Sequence, residues 1–220
     1  SGQASLKDPF HNPLFLSDLT LDSLVVNEQP LGNGQILANW NNGSKKIHVM
    51  TRAGEGDTPT LLVEGDYSPQ SKDLDFDINT DKIRLSMFLP YADEYISDLH
   101  GIGTFKLKLS GTADKPDLNG NIQLLKTSLV VNYLQTRYNF SDDVKVSHNN
   151  FIFKNFAIYD EKGNRAVGDG SILTRYFRNI YLDLRLNTDN FEFLNTTQKD
   201  NEFFYGNIYA GGIVQLSGPI

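Results

Sequence analysis

Cysteine is absent from the 220 residues. That excludes disulfides, thiolate metal ligands and a cysteine nucleophile, while leaving the cellular compartment open. The chain also lacks any apolar run near the ~20 residues needed to span a bilayer, and its N-terminus has no signal-peptide pattern. Positive charge is scarce: 20 Lys and Arg face 27 Asp and Glu, a net charge of −7. Phosphate binding needs a basic surface, and the longest cationic clusters are Lys45-Lys46 and Arg175 with Arg178. No nucleic-acid partner is expected.

What is present is alternation. Apolar residues make up 39% and charged residues 21% of the chain, enough to build a core. In Phe105-Lys106-Leu107-Lys108-Leu109 apolar and charged side chains take turns, as in a strand with one wet and one dry face. Leu74-Asp75-Phe76-Asp77-Ile78 and Ile180-Tyr181-Leu182-Asp183-Leu184-Arg185-Leu186 do the same. Weaker alternation runs over Ile83 to Met87, Ile122 to Leu124, Leu129 to Tyr133, Val144 to His148 and Phe191 to Phe193. Turn signals stand at Asn42-Gly43, Asp114-Lys115-Pro116, Asn119-Gly120, Ser141-Asp142-Asp143 and Glu161-Lys162-Gly163-Asn164. Short connections favour antiparallel neighbours. Pro90, early acidic residues and helical spacing predict one short helix near 90–97.

The sequence also resembles itself. Leu74-Asp75-Phe76-Asp77-Ile78-Asn79-Thr80-Asp81 recurs as Leu182-Asp183-Leu184-Arg185-Leu186-Asn187-Thr188-Asp189, position 74 against 182. Leu109-Ser110-Gly111 recurs as Leu216-Ser217-Gly218, with Gly103 facing Gly211 or Gly212. Two strings in one order at nearly one offset predict stacked repeats, each extending its neighbour's sheet. The expected division is a first β unit over 1–102, carrying the helix, and a second over 103–220. Ser1-Gly2 looks like an expression scar, and Leu216 to Ile220 stops within a strand-turn element, so a longer parent is expected.

The string from Gly103 to Ile122, with Leu109-Ser110-Gly111, Lys115-Pro116 and Leu118-Asn119-Gly120, resembles the glycine-strand-glycine, Lys-Pro, x-Leu-x-Gly signature of the TamB family. That is the translocation and assembly module group of the AsmA-like proteins. Tyr138-Asn139-Phe140, Asn150 to Phe153 and Ile158 to Ala166 are similar to the family's next segments, and Gly170 to Leu186 and Asn190 to Gly206 follow in order. Upstream, Gly34 to Trp40 and Gly65 to Pro69 are similar to a preceding unit; residues before about Gly32 fit poorly, and Gly218-Pro219 departs from the Gly111-to-Pro116 spacing. The resemblance implies an all-β fold: a long, mostly antiparallel sheet folded into an open, taco-like groove. It implies a location in the periplasm of a Gram-negative bacterium, with the parent anchored in the inner membrane. It further implies that phospholipid acyl chains travel toward the outer membrane, and that an outer-membrane barrel protein of the TamA/BamA type is a partner in assembly and protein translocation. The candidate groove lining is Phe105, Leu107, Leu109, Ile122, Leu124, Leu129, Val131, Phe151, Phe153, Ile180, Leu182, Leu184, Leu186, Phe191 and Phe193. The same residues equally suit the closed core of a sandwich.

Other features look chemical but have structural explanations. Asp73, Asp75, Asp77 and Asn79 mimic the start of a calcium loop, yet Ile78 and Arg84 hold the places of its glycine and distal glutamate. Asp142-Asp143 and Asp160-Glu161 read as turn residues. His11, His48, His100 and His148 are scattered without metal-ligand spacing. Gly32-x-Gly34, Gly54-x-Gly56, Gly101-x-Gly103 and Gly168-x-Gly170 lack the third glycine and following helix of a dinucleotide fingerprint. There is no nucleophile elbow and no P-loop. The expected protein is not an enzyme and carries no cofactor or metal. The alternatives are an envelope β-sandwich that recognises glycan or protein through Tyr67, Tyr91, Tyr95, Tyr138, Tyr159, Tyr176 and Tyr205, or a spacer without a ligand.

Overall fold

A strand's backbone has no internal hydrogen-bond partner, so alternating segments joined by short turns pair with their neighbours. The computed structural model describes residues 1–7, 14–55, 59–176, 179–200 and 205–219. Its strands are β1 (Gly2–Lys7), β2 (Leu14–Val26), β3 (Gln29–Asn41), β4 (Lys46–Gly54), β5 (Leu61–Tyr67), β6 (Leu74–Thr80), β7 (Ile83–Arg84), β8 (Ile96–Thr112), β9 (Lys115–Val131), β10 (Thr136–Ser147), β11 (Asn150–Asp160), β12 (Arg165–Arg175), β13 (Asn179–Thr196) and β14 (Gly206–Pro219). All belong to one 14-stranded sheet in nearly sequential order, with β6 beside β8, β7 pairing β8, and β1 and β14 at the ends. The registered pairs are antiparallel and the sheet is not closed into a barrel. Nor do the described residues supply a second sheet, so the sandwich architecture is not the one formed.

The chain forms two compact units, Ser1–Ile83 with Thr104–Asn121, and Arg84–Gly103 with Ile122–Ile220. Long β8 and β9 each contribute one half to either unit, so no point between them severs the chain cleanly.

The helix is a 3-10 turn over Leu85–Tyr91, not a helix over 90–97. Pro90 lies in its last turn, and Ala92 N donates to Leu89 O at 2.9 Å. Leu85 and Met87 are buried, which draws the helical turn onto residues whose alternation had read as strand. Two expected turns are absent. Asn119-Gly120 lies inside β9, and Ser141-Asp142-Asp143 is an irregularity inside β10, where pairing with β11 jumps from Phe140 to Lys145. Asn42-Gly43 and Glu161-Lys162 do turn, the former with Gly43 N and Ser44 N donating to Asn41 Oδ1.

Bulges recur along the strands of the second unit. Asp98, Lys126 and Asn155 have φ near +50°. β11 pairs with β12 up to Phe153 and resumes at Phe156, while β13 skips from Thr188 to Phe191 against β14. An unpaired extra residue bends the strand and shifts the alternation by one. In β9 the less exposed side changes from Ile122 and Leu124 to the buried Thr127. The freed amides find side chains: Lys126 N donates to Ser141 Oγ at 2.8 Å, and Asn155 N to Asp169 Oδ1 at 2.9 Å.

The duplicated strings occupy matching registers. Phe76 pairs with Leu109 and Ile78 with Leu107. At the second copy, Leu184 pairs with Leu216 and Leu186 with Val214. Between β12 and β13 the strands approach closely at Gly168, where an added Cβ would stand 1.9 Å from the Arg185 carbonyl oxygen. Gly168→Ala must therefore displace β13, at a cost of about 1–3 kcal/mol. Thermal unfolding is expected to show a lowered Tm for Gly168→Ala. Gly163→Asn, in open space at φ +83°, should leave Tm nearly unchanged.

Candidate apolar binding surface

Because opposed residues in a ladder share a face, the registers trace an apolar surface across the first unit. Ile36 faces Thr51, Thr51 faces Val63, Val63 faces Ile78, and Ile78 faces Leu107. A parallel row runs through Ala38, Val49, Gly65, Phe76 and Leu109. Of the candidate lining residues here, Phe105 is buried, while Leu107 and Leu109 are half-buried. Within this unit the described elements are strands of the one sheet, so no separate layer covers the row.

The opposite face is charged. Lys108 reaches Asp75 at 2.5 Å and Asp77 at 3.2 Å, and its hydrogen bond with Asp75 holds that carboxyl below its ordinary value. His48 lies 3.0 Å from Asp66 and 3.6 Å from Glu64. The calcium-like Asp75 and Asp77 thus pair with a lysine, and Asp73 accepts from Ser71 at 2.5 Å. Exposed pairs of this kind contribute only ~0.2–1 kcal/mol each; their main effect is to mark this side as wet.

In the second unit one apolar row crosses Phe156, Gly168, Leu186 and Val214, and another crosses Phe151, Ile172 and Leu182. Ile180 faces Thr174 on the same side. The structure separates the candidates there into two groups. Leu186 and Phe191 are buried together with Tyr138, Phe156 and Ala166, and Val131, Phe153, Leu184 and Phe193 pack against that cluster. Phe191 stacks on Tyr138 with centroids 5.4 Å apart and ring planes at 6°, and Phe193 meets Phe191 edge-on at 5.1 Å. These side chains contact one another in a closed core. Ile122, Leu124, Leu129, Phe151, Ile180 and Leu182 remain half-buried outside that cluster.

A buried polar group edges the core. Asp160, 1% exposed, accepts from Lys162 N (3.0 Å), Asn164 N (2.8 Å), Asn164 Nδ2 (2.8 Å) and Glu192 N (3.0 Å). Burial opposes its ionisation, yet the hydrogen bonds from Asn164, Glu192 and Lys162 prevail and hold the carboxyl below its ordinary value. Glu192, 2% exposed, accepts from Tyr209 Oη at 2.5 Å and Asn207 Nδ2 at 3.2 Å. Tyr138 Oη donates to the Glu192 carbonyl at 3.2 Å, and burial pushes that phenol well above its ordinary value. Sequence reasoning missed this group. In the sequence Asp160 looks like a turn residue, and alternation places Glu192 at a wet position between Phe191 and Phe193.

Two shallow, open hollows mark bulged positions of this unit. One, about 540 Å³, is lined by Lys126, Thr127, Asn139, Phe140, Ser141, Ala157 and Tyr159; the other, about 420 Å³, lies beside Phe153, Lys154 and Asp169. Among the described residues no three His, Asp or Glu side chains are grouped to hold a metal ion. His100 sits 2.7 Å from Asp98, which also pairs with Arg137, and His148 is exposed in a turn. His11, Gly56 and Arg178 lie outside the described residues. No described helix is long and apolar enough to cross a membrane.

Comparison with family models, curated proteins and solved structures finds no match to this chain.

Because the folded-state pKa of Asp160 is depressed, its stabilising effect is present above the ordinary value of 3.8 and is lost as pH falls through the lower folded value. Asp160→Asn is expected to cost about 2–3 kcal/mol at neutral pH, since it removes a charged acceptor serving several donors. Thermal melts of both proteins should show a gap in Tm at pH 7 that narrows progressively below pH ~4.

Proposed function

We propose that this chain is a segment of a periplasmic protein of the TamB type that shields acyl chains as phospholipid moves to the outer membrane, and that it supports outer-membrane assembly. The observation that carries this reading is the apolar row of the first unit, half-buried along Val63, Ile78, Leu107 and Leu109, with no second sheet among the described residues. Holding hydrocarbon in water costs about 0.8 kcal/mol per methylene. A row of aliphatic and aromatic side chains with few polar groups offsets that cost at each step without selecting one ligand shape. Transport needs such uniform contacts, whereas specific recognition needs an enclosed pocket with a few placed polar groups. The TamB-like strings between Gly103 and Ile122 and between Ile158 and Ala166 point in the same direction. Inner-membrane anchorage of the parent and a barrel partner of the TamA/BamA type rest on that resemblance alone.

A second reading, recognition of glycan or protein through tyrosines, draws on Tyr91 and Tyr133, which are 77% and 67% exposed. The segments that carry them meet beside these residues: Asn132 Nδ2 donates to the Asp93 and Glu94 carbonyls at 2.8 and 3.3 Å.

The readings separate by photo-crosslinking. With a photoreactive residue at Leu107 or Leu182, labelled phospholipid should attach in cells; at Lys108 or Arg185, on the opposite face, it should not. Labelling at Lys108 and Arg185 alone would refute acyl-chain shielding. A specific hit on a glycan array, abolished by Tyr91→Ala, would favour the second reading.

A further inference from the structure

Strand β13 changes partners along its length. Up to Thr188 it lies between β12 and β14, the last pair on the β12 side being Ala166 with Thr188. Beyond that, β12 has nothing left to offer, since its first residue, Arg165, precedes Ala166. Residues 189–196 keep β14 as a neighbour, through two register shifts. On the vacated side the segment crosses to β10, the β9–β10 turn and the β11–β12 turn, where the ladder gives way to hydrogen bonds with different partners. Glu192 N donates to Asp160 Oδ2 at 3.0 Å, Tyr138 Oη to Glu192 O at 3.2 Å, and Asn195 N to Leu134 O at 2.9 Å. Beneath them, Phe191 covers Tyr138 and the apolar cluster.

The polar groups divide cleanly along this seam. Without the segment, Asp160 would retain Lys162 N, Asn164 N and Asn164 Nδ2, all from its own turn. Glu192 would retain Asn207 and Tyr209 of β14, which travel with it. Neither buried carboxylate is stripped of hydrogen bonds by separation, so the usual penalty for parting such a group is small here. A further tie across the seam is the exposed Lys162, which contacts Tyr209 and lies 4.5 Å over its ring. The same sequence pattern appears in the first copy. Asn79-Thr80-Asp81 is followed by Ile83 and Leu85, both buried, where Asn187-Thr188-Asp189 is followed by Phe191 and Phe193.

We propose that residues 189–196 are a strap that lifts from the apolar face of the second unit, carrying Phe191 off the Tyr138 ring and opening the surface at Phe156, Leu184 and Leu186 to an acyl chain. This inference rests on the acyl-chain reading above. Closed, the phenyl rings cover the face; open, hydrocarbon replaces them there, so Phe156, Leu184 and Leu186 stay out of water in both states.

The chain's lack of cysteine permits a clean test. In the full chain, Leu134→Cys with Asn195→Cys places two thiols on residues joined by a backbone hydrogen bond, and oxidation locks the strap. Hydrogen exchange and uptake of cis-parinaric acid, a fluorescent fatty acid, are the two readouts. Reduced protein should exchange the Glu192 and Asn195 amides faster than those of Leu184 and Leu186 on the same strand, and parinarate should accelerate them further. Oxidation should slow that exchange and abolish most uptake. Tyr138→Phe, which deletes one hydroxyl, covers the case of a disulfide that fails to form: it should speed exchange at Glu192 and Asn195 while Leu186 is unchanged. Equal protection of all four amides with and without parinarate overturns the strap. Equal uptake by locked and reduced protein also overturns it, yet leaves acyl-chain binding standing. No uptake by either form removes both.

Discussion

The backbone ladder is the constraint on which the rest depends. A strand must hand its amides and carbonyls to neighbours, and here the described strands all do so within one sheet. Alternation then gives that sheet a wet side and a dry side. Pairing brings Val63, Ile78 and Leu107 into line on the dry one, with Lys108, Asp75 and Asp77 behind them. A second sheet would normally hide the apolar side. Its absence among the described residues leaves the chain two ways to manage the exposed hydrocarbon. It can bend the sheet with bulges, as at Asn155 and between Thr188 and Phe191, or lay its own segments over the face, as Phe191 and Phe193 do.

Much of this was legible in the sequence. Phe105 to Leu109, Leu74 to Ile78 and Ile180 to Leu186 are strands because strict alternation has few other structural uses. Asn119-Gly120 misled because Gly120, at φ +140° against the Lys106 backbone, serves a close approach between strands, and Ser141-Asp142-Asp143 because a bulge and a turn need the same residues: tolerance of unusual φ and a side chain that can satisfy a stray amide. Ser141 does that for Lys126, on the neighbouring strand, where a local reading sees only a loop. The helix moved for a related reason. Pro90 and the acids after it are local cues, whereas the burial of Leu85 and Met87 that fixes the 3-10 turn is tertiary.

The candidate surface was legible by parity and no further. Parity places Leu182 and Leu184 on the same side, and the register agrees. It does not reveal that Leu184 packs into a cluster with Phe156 and Phe191 while Leu182 lies outside it, because that depends on where β13 bends. The paired carboxylates were invisible for the same reason. Glu192 becomes buried only when the bulge carries its strand across to Tyr138, and Asp160 gains its fourth donor only then.

The matching registers of the two copies have an evolutionary corollary. A ladder in which Phe76 sits opposite Leu109 and, one copy later, Leu184 sits opposite Leu216 is a module whose junction chemistry is already solved. Duplicating the coding segment adds length while leaving every existing pair intact, whereas inserting one residue within a ladder strand would turn all later side chains of that strand to the wrong face. A sheet paired in this way can therefore be lengthened in whole modules without disturbing the pairing that keeps it together.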